Sequence, residues 1–550
     1  MLNNLAGWLV FAVAAIVLGA AAEPTGSLWD CGEFISGAYK LQVVHPPGAP
    51  IFLMVGRLFA WVGSMVSDDP SVIAYSVNLL SALCTAFAGM FVCWSTTILA
   101  RLVLAGRETE LDNGQTIAAL GAGIVAGLVT AFTSSIWFSA VEGEVYAMST
   151  FFTCMTLWAV LKWYQLPDTA DADRWLVFAF YSVALSIGVH LLSLLTLPAL
   201  ALFYYFKKAK KPTVLNALIA AGIGVGFIIG IQYFIITGIP RLWATFDRWF
   251  VNGFGLPFHT GIIPVFLIFG GAIWYGLRRA ERTGNGLLQR LTVALGVTVI
   301  AYMAFGMVVI RANSNPPINM NDPSDATRML PYLNREQYGE RPLFRGPSFD
   351  AKPIGIVTEE RWGRVGDRYE IVDEKIDYDY PASSKALFPR MGDYSQGRPQ
   401  LYRRWIDKPS GEPTFGDNLE FFWKYQLGWM YWRYFMWNFA GRQNGEQGLY
   451  AWDPTSGNWI SGIDFFDEPR IGNQQELPDH LRNNQARNTY YFIPFLLGLL
   501  GLFFHYQRRP RDFAAIMSLF IITGIGIIVY SNQPPNEPRE RDYVLVGSIF

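Results

Sequence analysis

Charge is scarce in this chain of 550 residues: only 16% are Asp, Glu, Lys or Arg, while 52% are hydrophobic. Soluble globular proteins carry about 25% charged residues, so the deficit excludes an ordinary water-solvated domain and makes lipid the main solvent. Cysteine is also scarce. Cys31, Cys84, Cys93 and Cys154 show no paired-ligand spacing, and three of them lie in apolar stretches, which argues against a disulfide scaffold or a zinc site. A net charge of −1 supplies no bulk attraction for a nucleic-acid partner. The sequence has no P-loop, dinucleotide fingerprint, HExxH helix or nucleophile elbow, features whose lack argues against an ATP-driven pump or a serine hydrolase.

What charge there is lies between long apolar blocks. Segments near 5–22, 72–100, 117–136, 145–163, 175–206, 214–236, 262–277, 291–310, 490–505 and 513–530 are nearly uncharged, and most approach the ~20 residues a spanning helix needs. The stretch 175–206 contains Gly188, His190 and Pro198 and reads as two helices meeting near His190. The chain is therefore expected to be an all-α polytopic membrane protein with about eleven transmembrane helices. The first block ends in Ala20-Ala21-Ala22 but lacks a basic flank, so it reads as a retained helix rather than a cleaved leader.

Basic loops set the orientation. Lys207, Lys208, Lys210 and Lys211 form one cluster, Arg278, Arg279, Arg282 and Arg290 a second, and Arg508, Arg509 and Arg511 a third. An even number of spans separates them, so all three are expected in the cytoplasm. The opposite face then receives Glu142 and Glu144, the turn near His190, the stretch 312–487 and the segment after Ser531. The apolar run 51–62 carries Arg57 at its middle. A charge at mid-bilayer costs on the order of 3 kcal/mol, so this run is expected to lie along the interface, which leaves Asp30 on the outer face.

Three parts follow: a transmembrane module over 1–311 with an acidic first outer loop (23–70), an extracytoplasmic insertion over 312–487, and further spans over 488–550. The insertion includes a dense aromatic segment from Phe421 to Trp437. It is expected to lie at the membrane interface, where Trp and Tyr settle, with a platform for sugar rings as the sharper alternative. The last residues, Val546 to Phe550, read as the start of another apolar segment, as in a piece of a longer chain.

Four groups could carry chemistry. Asp30 and Glu33, three residues apart in Trp29-Asp30-Cys31-Gly32-Glu33-Phe34, share a face if helical, and one of them could act as a general base. Glu142 and Glu144 sit between apolar helices, where acids are costly unless hydrated, paired or ligating; a divalent cation is one candidate ligand. Arg311, Arg539 and Arg541 lie on the face that disfavours basic residues, and arginine offers a fork matched to phosphate oxygens. His45 begins the rigid turn His45-Pro46-Pro47-Gly48 and could contact phosphate or the carboxylates.

The segments WDCGEF (29–34), HPPGAP (45–50), AVEGEVYAMS (140–149), RANSNPPINM (311–320), MYWRYFMWNFAGRQN (430–444) and PRERDY (538–543) resemble a bacterial membrane family related to the protein O-mannosyltransferases. That family lies within the GT-C glycosyltransferase superfamily, was formerly a domain of unknown function, and has a eukaryotic relative that O-mannosylates receptor ectodomains. The resemblance implies a GT-C-like fold and a multi-pass enzyme of the bacterial inner membrane, active on the periplasmic face. It implies a polyprenyl-phosphate sugar as donor and a protein Ser/Thr or surface glycan as acceptor. Asp30 becomes the base, with Glu33 beside it; His45, Glu142, Glu144, His190, Arg311, Arg539 and Arg541 become candidates for binding substrate and phosphate. Membrane lipids, and a membrane complex, are the remaining candidate partners. The competing reading is a non-catalytic component that binds a lipid-linked glycan or scaffolds an envelope complex. A transporter ranks last, since no repeat of broken helices is visible.

Overall fold

The computed structural model describes residues 1–107, 109–339 and 341–550. Helix α1 (Leu2–Ala21) leads through a polar loop into the short α2 (Cys31–Lys40) and α3 (Pro50–Val66). Then come α4 (Pro70–Ala105), α5 (Asn113–Phe132), α6 (Ser134–Ala140), α7 (Val145–Gln165), α8 (Ala170–Ile187) and α9 (Leu197–Lys208). Five more complete the first part: α10 (Val214–Gly230), α11 (Gly238–Phe254), α12 (Ile262–Thr283), α13 (Gly286–Tyr302) and α14 (Gly306–Ala312).

The centre is α4. Asp69 caps it by accepting from the Ser71 amide, and Pro70 stands in its first turn, where a missing N–H costs nothing. Its apolar window is 83% buried, as befits a helix that is hydrophobic all round. Helices α1, α3, α5 and α7 pack around it. The α4–α5 approach is backbone-close: a Cβ at Gly127 would stand 2.6 Å from the Gly89 carbonyl oxygen. Small residues at such a crossing let two membrane helices gain dispersion contact, which lipid-solvated helices rely on.

Nine helical segments among the described residues are long and apolar enough to cross a membrane, so the chain is a polytopic, predominantly helical membrane protein. The expectation was about eleven spans. The remaining two stand beside the nine as α8, packed on α7 and α13, and Ile493–Arg508, packed on Pro510–Ile521. The first carries Asp171 and Asp173 in its opening turn, and the second has only 16 residues, so neither qualifies by length and composition.

The bundle has two chemically distinct ends. At one, Lys208 pairs with Asp168, Arg290 Nη2 lies 2.7 Å from Asp173, and Arg509 Nε lies 2.7 Å from Asp512. At the other lie Asp30, Glu142 and Glu144. Helix α7 joins them: 21 residues, about 30 Å at 1.5 Å per residue. Chain 22–70 leaves and re-enters at this second end. Tyr75 Oη donates to the Gly19 carbonyl (2.9 Å), and Asn78 Nδ2 donates to the Glu23 and Thr25 carbonyls (2.5 and 2.9 Å). The start of α4 is thus tied to the end of α1, and α3 packs along α4.

The insertion adds α15 (Ala326–Asn334) and two small antiparallel ribbons that the all-helical reading did not foresee: β1 (Arg345–Pro347) with β4 (Lys385–Leu387), and β2 (Gly355–Val365) with β3 (Arg368–Asp379). The long ribbon pairs Gly355 with Asp379 and Val365 with Arg368, its register shifting between Arg361 and Trp362. Its two-residue turn opens on Gly366, at φ +60°, as such hairpins require. The aromatic segment expected along the interface is mostly interior: Tyr425, Trp429, Tyr434 and Trp437 are buried, together with Tyr402, Trp405, Ile527 and Leu545. Trp423 and Trp432 remain exposed. The segment is thus the shared core of the insertion and the 533–548 stretch, and offers no open row of rings.

Candidate functional site

The site grows from the first turn of α2. Asp30 is its N-cap residue and Glu33 lies in its first turn, so both acids sit at the positive end of the helix. Glu33 is held by His45: the His45 amide donates to Oε1 (2.7 Å), and Nδ1 meets Oε2 (2.8 Å). Burial pushes the Glu33 carboxyl up, but the His45 hydrogen bonds and charge outweigh it and leave it below its usual range. Cys31, buried between the two acids, points away from them, its Sγ 3.7 Å from Asn78 Oδ1.

Asp30 faces the far end of the chain. Arg539 Nη2 donates to Asp30 Oδ2 at 3.1 Å, and its Nη1 lies 3.9 Å from Glu144 Oε1. The guanidinium also lies over the rings of Tyr543 (4.8 Å) and Trp29 (5.4 Å). Asp30 is 40% exposed and Arg539 only 14%, so the acid is the more accessible of the pair and the arginine the more buried. Glu144 is deeper, at 3% exposure, and neither carboxylate oxygen has a hydrogen-bond partner. Burial, opposed by Arg539, pushes its pKa up to about 8. Glu142 accepts from Ser27 Oγ (2.5 Å), and burial raises it as well.

A second line of groups runs beneath. Arg541 donates to Tyr543 Oη (2.9 Å) and Glu537 Oε2 (3.1 Å). The Tyr543 ring packs on Tyr146 (4.3 Å between centroids), and Tyr146 on His190 (5.1 Å). His190 is driven down to about 3 by burial, Arg335 and His45, so it offers a neutral ring nitrogen rather than a charge.

The structure therefore gathers Asp30, Glu33, His45, Glu142, Glu144, His190, Arg539 and Arg541 at one end of the bundle. It turns Arg311 elsewhere: Nε and Nη2 donate to the carbonyls of Leu41 (2.6 Å) and Lys40 (3.1 Å), satisfying the open C-terminus of α2. Four members escaped the sequence reading. Trp29, Tyr146 and Tyr543 lie inside motif segments already singled out, and only their ring contacts reveal them; Ser27 carries no sequence signal.

Among the described residues, Asp30, Glu33 and His45 form the one cluster whose donor atoms, one each, lie within 4.8 Å of one another. As arranged it does not fit a resident divalent cation. Both Glu33 oxygens are engaged by His45, and Asp30 holds a guanidinium. An ion would have to displace the Arg539 guanidinium or the His45 hydrogen bonds.

Comparison with known proteins bears on the same residues. The family model described as the protein O-mannosyl-transferase TMEM260 N-terminal domain matches residues 30–213. Over this segment the chain is similar to the protein O-mannosyltransferases. Its segment is 22% identical over 167 residues to the protein O-mannosyl-transferase tmem260 of Dictyostelium discoideum, covering 30% of this chain and 18% of that protein. It is 24% identical over 178 residues to the Mus musculus TMEM260, covering 32% of this chain and 22% of that protein. The matches thus span about a fifth of each relative. A family of unknown function matches residues 339–423, inside the insertion. No solved structure matches the chain. The O-mannosyltransferase match opens on Asp30 and takes in Glu33, His45, Glu142, Glu144 and His190; the two arginines lie outside it.

Proposed function

We propose that this protein is a GT-C-like membrane glycosyltransferase that moves a sugar from a polyprenyl-phosphate donor to an acceptor hydroxyl on the periplasmic face of a bacterial inner membrane. The observation that carries the reading is the Asp30–Arg539 pair, whose acid opens the segment that is similar to the O-mannosyltransferases. Asp30 takes the proton of an acceptor Ser, Thr or glycan hydroxyl as its oxygen attacks the anomeric carbon. The bond from that carbon to the phosphate oxygen breaks on the opposite side, so configuration inverts. Polyprenyl phosphate leaves with one more negative charge than the diester carried. Arg539 and Arg541 stand where that growing charge is best stabilised, as preorganised cations in a partly dry site. Glu33 is kept ionised by His45 and supports α2 beneath the base. No step runs through a metal ion.

The test is Asp30→Asn in the full-length protein. Sugar transfer from a synthetic polyprenyl-phosphate mannose should fall at least a hundredfold, the general-base contribution being about 10²–10⁴, while donor affinity persists. Full transfer by this variant would remove Asp30 as base. Binding of the donor without any turnover by the wild type would favour the non-catalytic, glycan-binding reading.

A further inference from the structure

The insertion has a part in this site that neither its composition nor its family match assigns. Glu540 lies between the two arginines of the site, and its carboxylate accepts four hydrogen bonds, all from the insertion. Arg433 donates through Nη1 (3.1 Å) and Nη2 (2.7 Å), Tyr434 through its hydroxyl (2.6 Å) and Gly448 through its amide (2.7 Å). Arg433 is itself fixed. Its side chain is 2% exposed, it donates to the carbonyls of Gly457 and Trp429 (2.9 and 3.1 Å), and it lies over the rings of Trp429, Tyr434 and Trp437 at 4.2, 4.4 and 5.0 Å. Gly448 leaves no room for another residue, since a Cβ there would meet Arg433 Nη1 at 2.2 Å.

More of the same stretch is held from the insertion. Tyr425 donates to the Pro534 carbonyl (2.8 Å), Gln426 to that of Gln533 (3.1 Å) and Gln447 to that of Glu537 (2.9 Å). The Tyr434 hydroxyl also accepts from the Arg541 amide (3.1 Å). With Glu540 sunk into this grip, the flanking side chains are left to face the other way, Arg539 onto Asp30 and Arg541 onto Tyr543.

We infer that the insertion is a clamp: Arg433, Tyr434 and Gly448 seize Glu540 and thereby aim Arg539 and Arg541 at the donor phosphate. These are positioning residues, and the inference rests on the phosphate-binding reading of the two arginines. A carboxylate with four donors, two from a buried guanidinium, is a far stiffer anchor than a solvated loop, because charge-assisted bonds are roughly twice as strong as neutral ones. Preorganised cations aid a transition state only while they are held in place.

The test uses the full chain in detergent or nanodiscs. Arg433→Met strands a buried carboxylate and risks the fold, so the informative variants are Glu540→Gln and Tyr434→Phe. Hydrogen–deuterium exchange across 533–543 should rise about tenfold in both, while the helix Arg398–Trp405 stays protected. Affinity for a short-chain polyprenyl phosphate should fall about tenfold, the worth of one charge-assisted bond, and the loss should vanish in an Arg539→Met, Arg541→Met background. Unchanged exchange at 533–543, or an equal loss of affinity in that background, overturns the clamp. A wild type that binds no polyprenyl phosphate overturns the phosphate reading instead, while exchange still decides whether the clamp exists.

Discussion

Glu144 is the residue under the greatest electrostatic tension in the site. Its oxygens lack hydrogen bonds, and the nearest cation, Arg539 at 3.9 Å, is already engaged by Asp30. In the unfolded chain the carboxyl titrates near 4.5, whereas in the folded protein it keeps its proton up to about 8. Across that window the folded state binds the extra proton, so raising the pH through it removes stability. Thermal unfolding followed from pH 5 to 9 should show the midpoint falling as pH rises, and Glu144→Gln should flatten that fall. Equal slopes in the two proteins would assign the dependence to another group. Above about pH 8 the ionised Glu144 competes with Asp30 for Arg539.

At the scale of one element, α2 is fastened at both ends by different means. Its N-terminal acids meet His45 and Arg539, and its C-terminal carbonyls receive Arg311. Arg311→Met should lower thermal stability by about 1–3 kcal/mol, the cost of unsatisfied carbonyls and lost charged donors. It should leave polyprenyl-phosphate affinity within about twofold, whereas Arg539→Met should weaken binding about tenfold or more. Isothermal titration beside a melting curve separates the two; a large affinity loss in Arg311→Met would put that guanidinium back into the site.

The contrast shows what the sequence could reveal. Acids in WDCGEF and EGE stand out because acids between apolar spans demand a reason, and PRERDY stands out because its arginines break the positive-inside pattern. Whether a misplaced arginine meets a substrate or a helix end depends on tertiary direction, which spacing does not encode. The segment 421–437 shows the same limit. Its aromatic density was plain, but Arg433 at its centre needed stacked rings and Glu540 around it, and that made the segment a core.

Over the whole molecule, the apolar blocks fixed the architecture well, because hydrophobic length is a strong constraint on membrane helices. The β2–β3 hairpin is local, turning at Gly366-Asp367, whereas the pairing of β1 with β4 and the joining of insertion to 533–548 were not legible, since both depend on long-range pairing. The separation of the two ends is directly testable. All four native cysteines are buried, so Leu28→Cys and Lys210→Cys, both at exposed positions, offer clean labels. A membrane-impermeant maleimide should reach position 28 from the periplasmic side and position 210 only after the membrane is opened. Labelling of both from one side would leave the proposed transfer without a compartment.

The contact between Asp30 and Arg539 joins residues 509 apart. At about 5–20 residues per second of synthesis, roughly half a minute to two minutes pass between the appearance of the acid and that of its counter-charge. Throughout that interval the nascent polypeptide carries Asp30 with no Arg539 opposite it. On the proposed mechanism, a fragment released by premature termination before residue 539 lacks the guanidinium that the departing phosphate needs, so transfer awaits the synthesis of nearly the whole sequence.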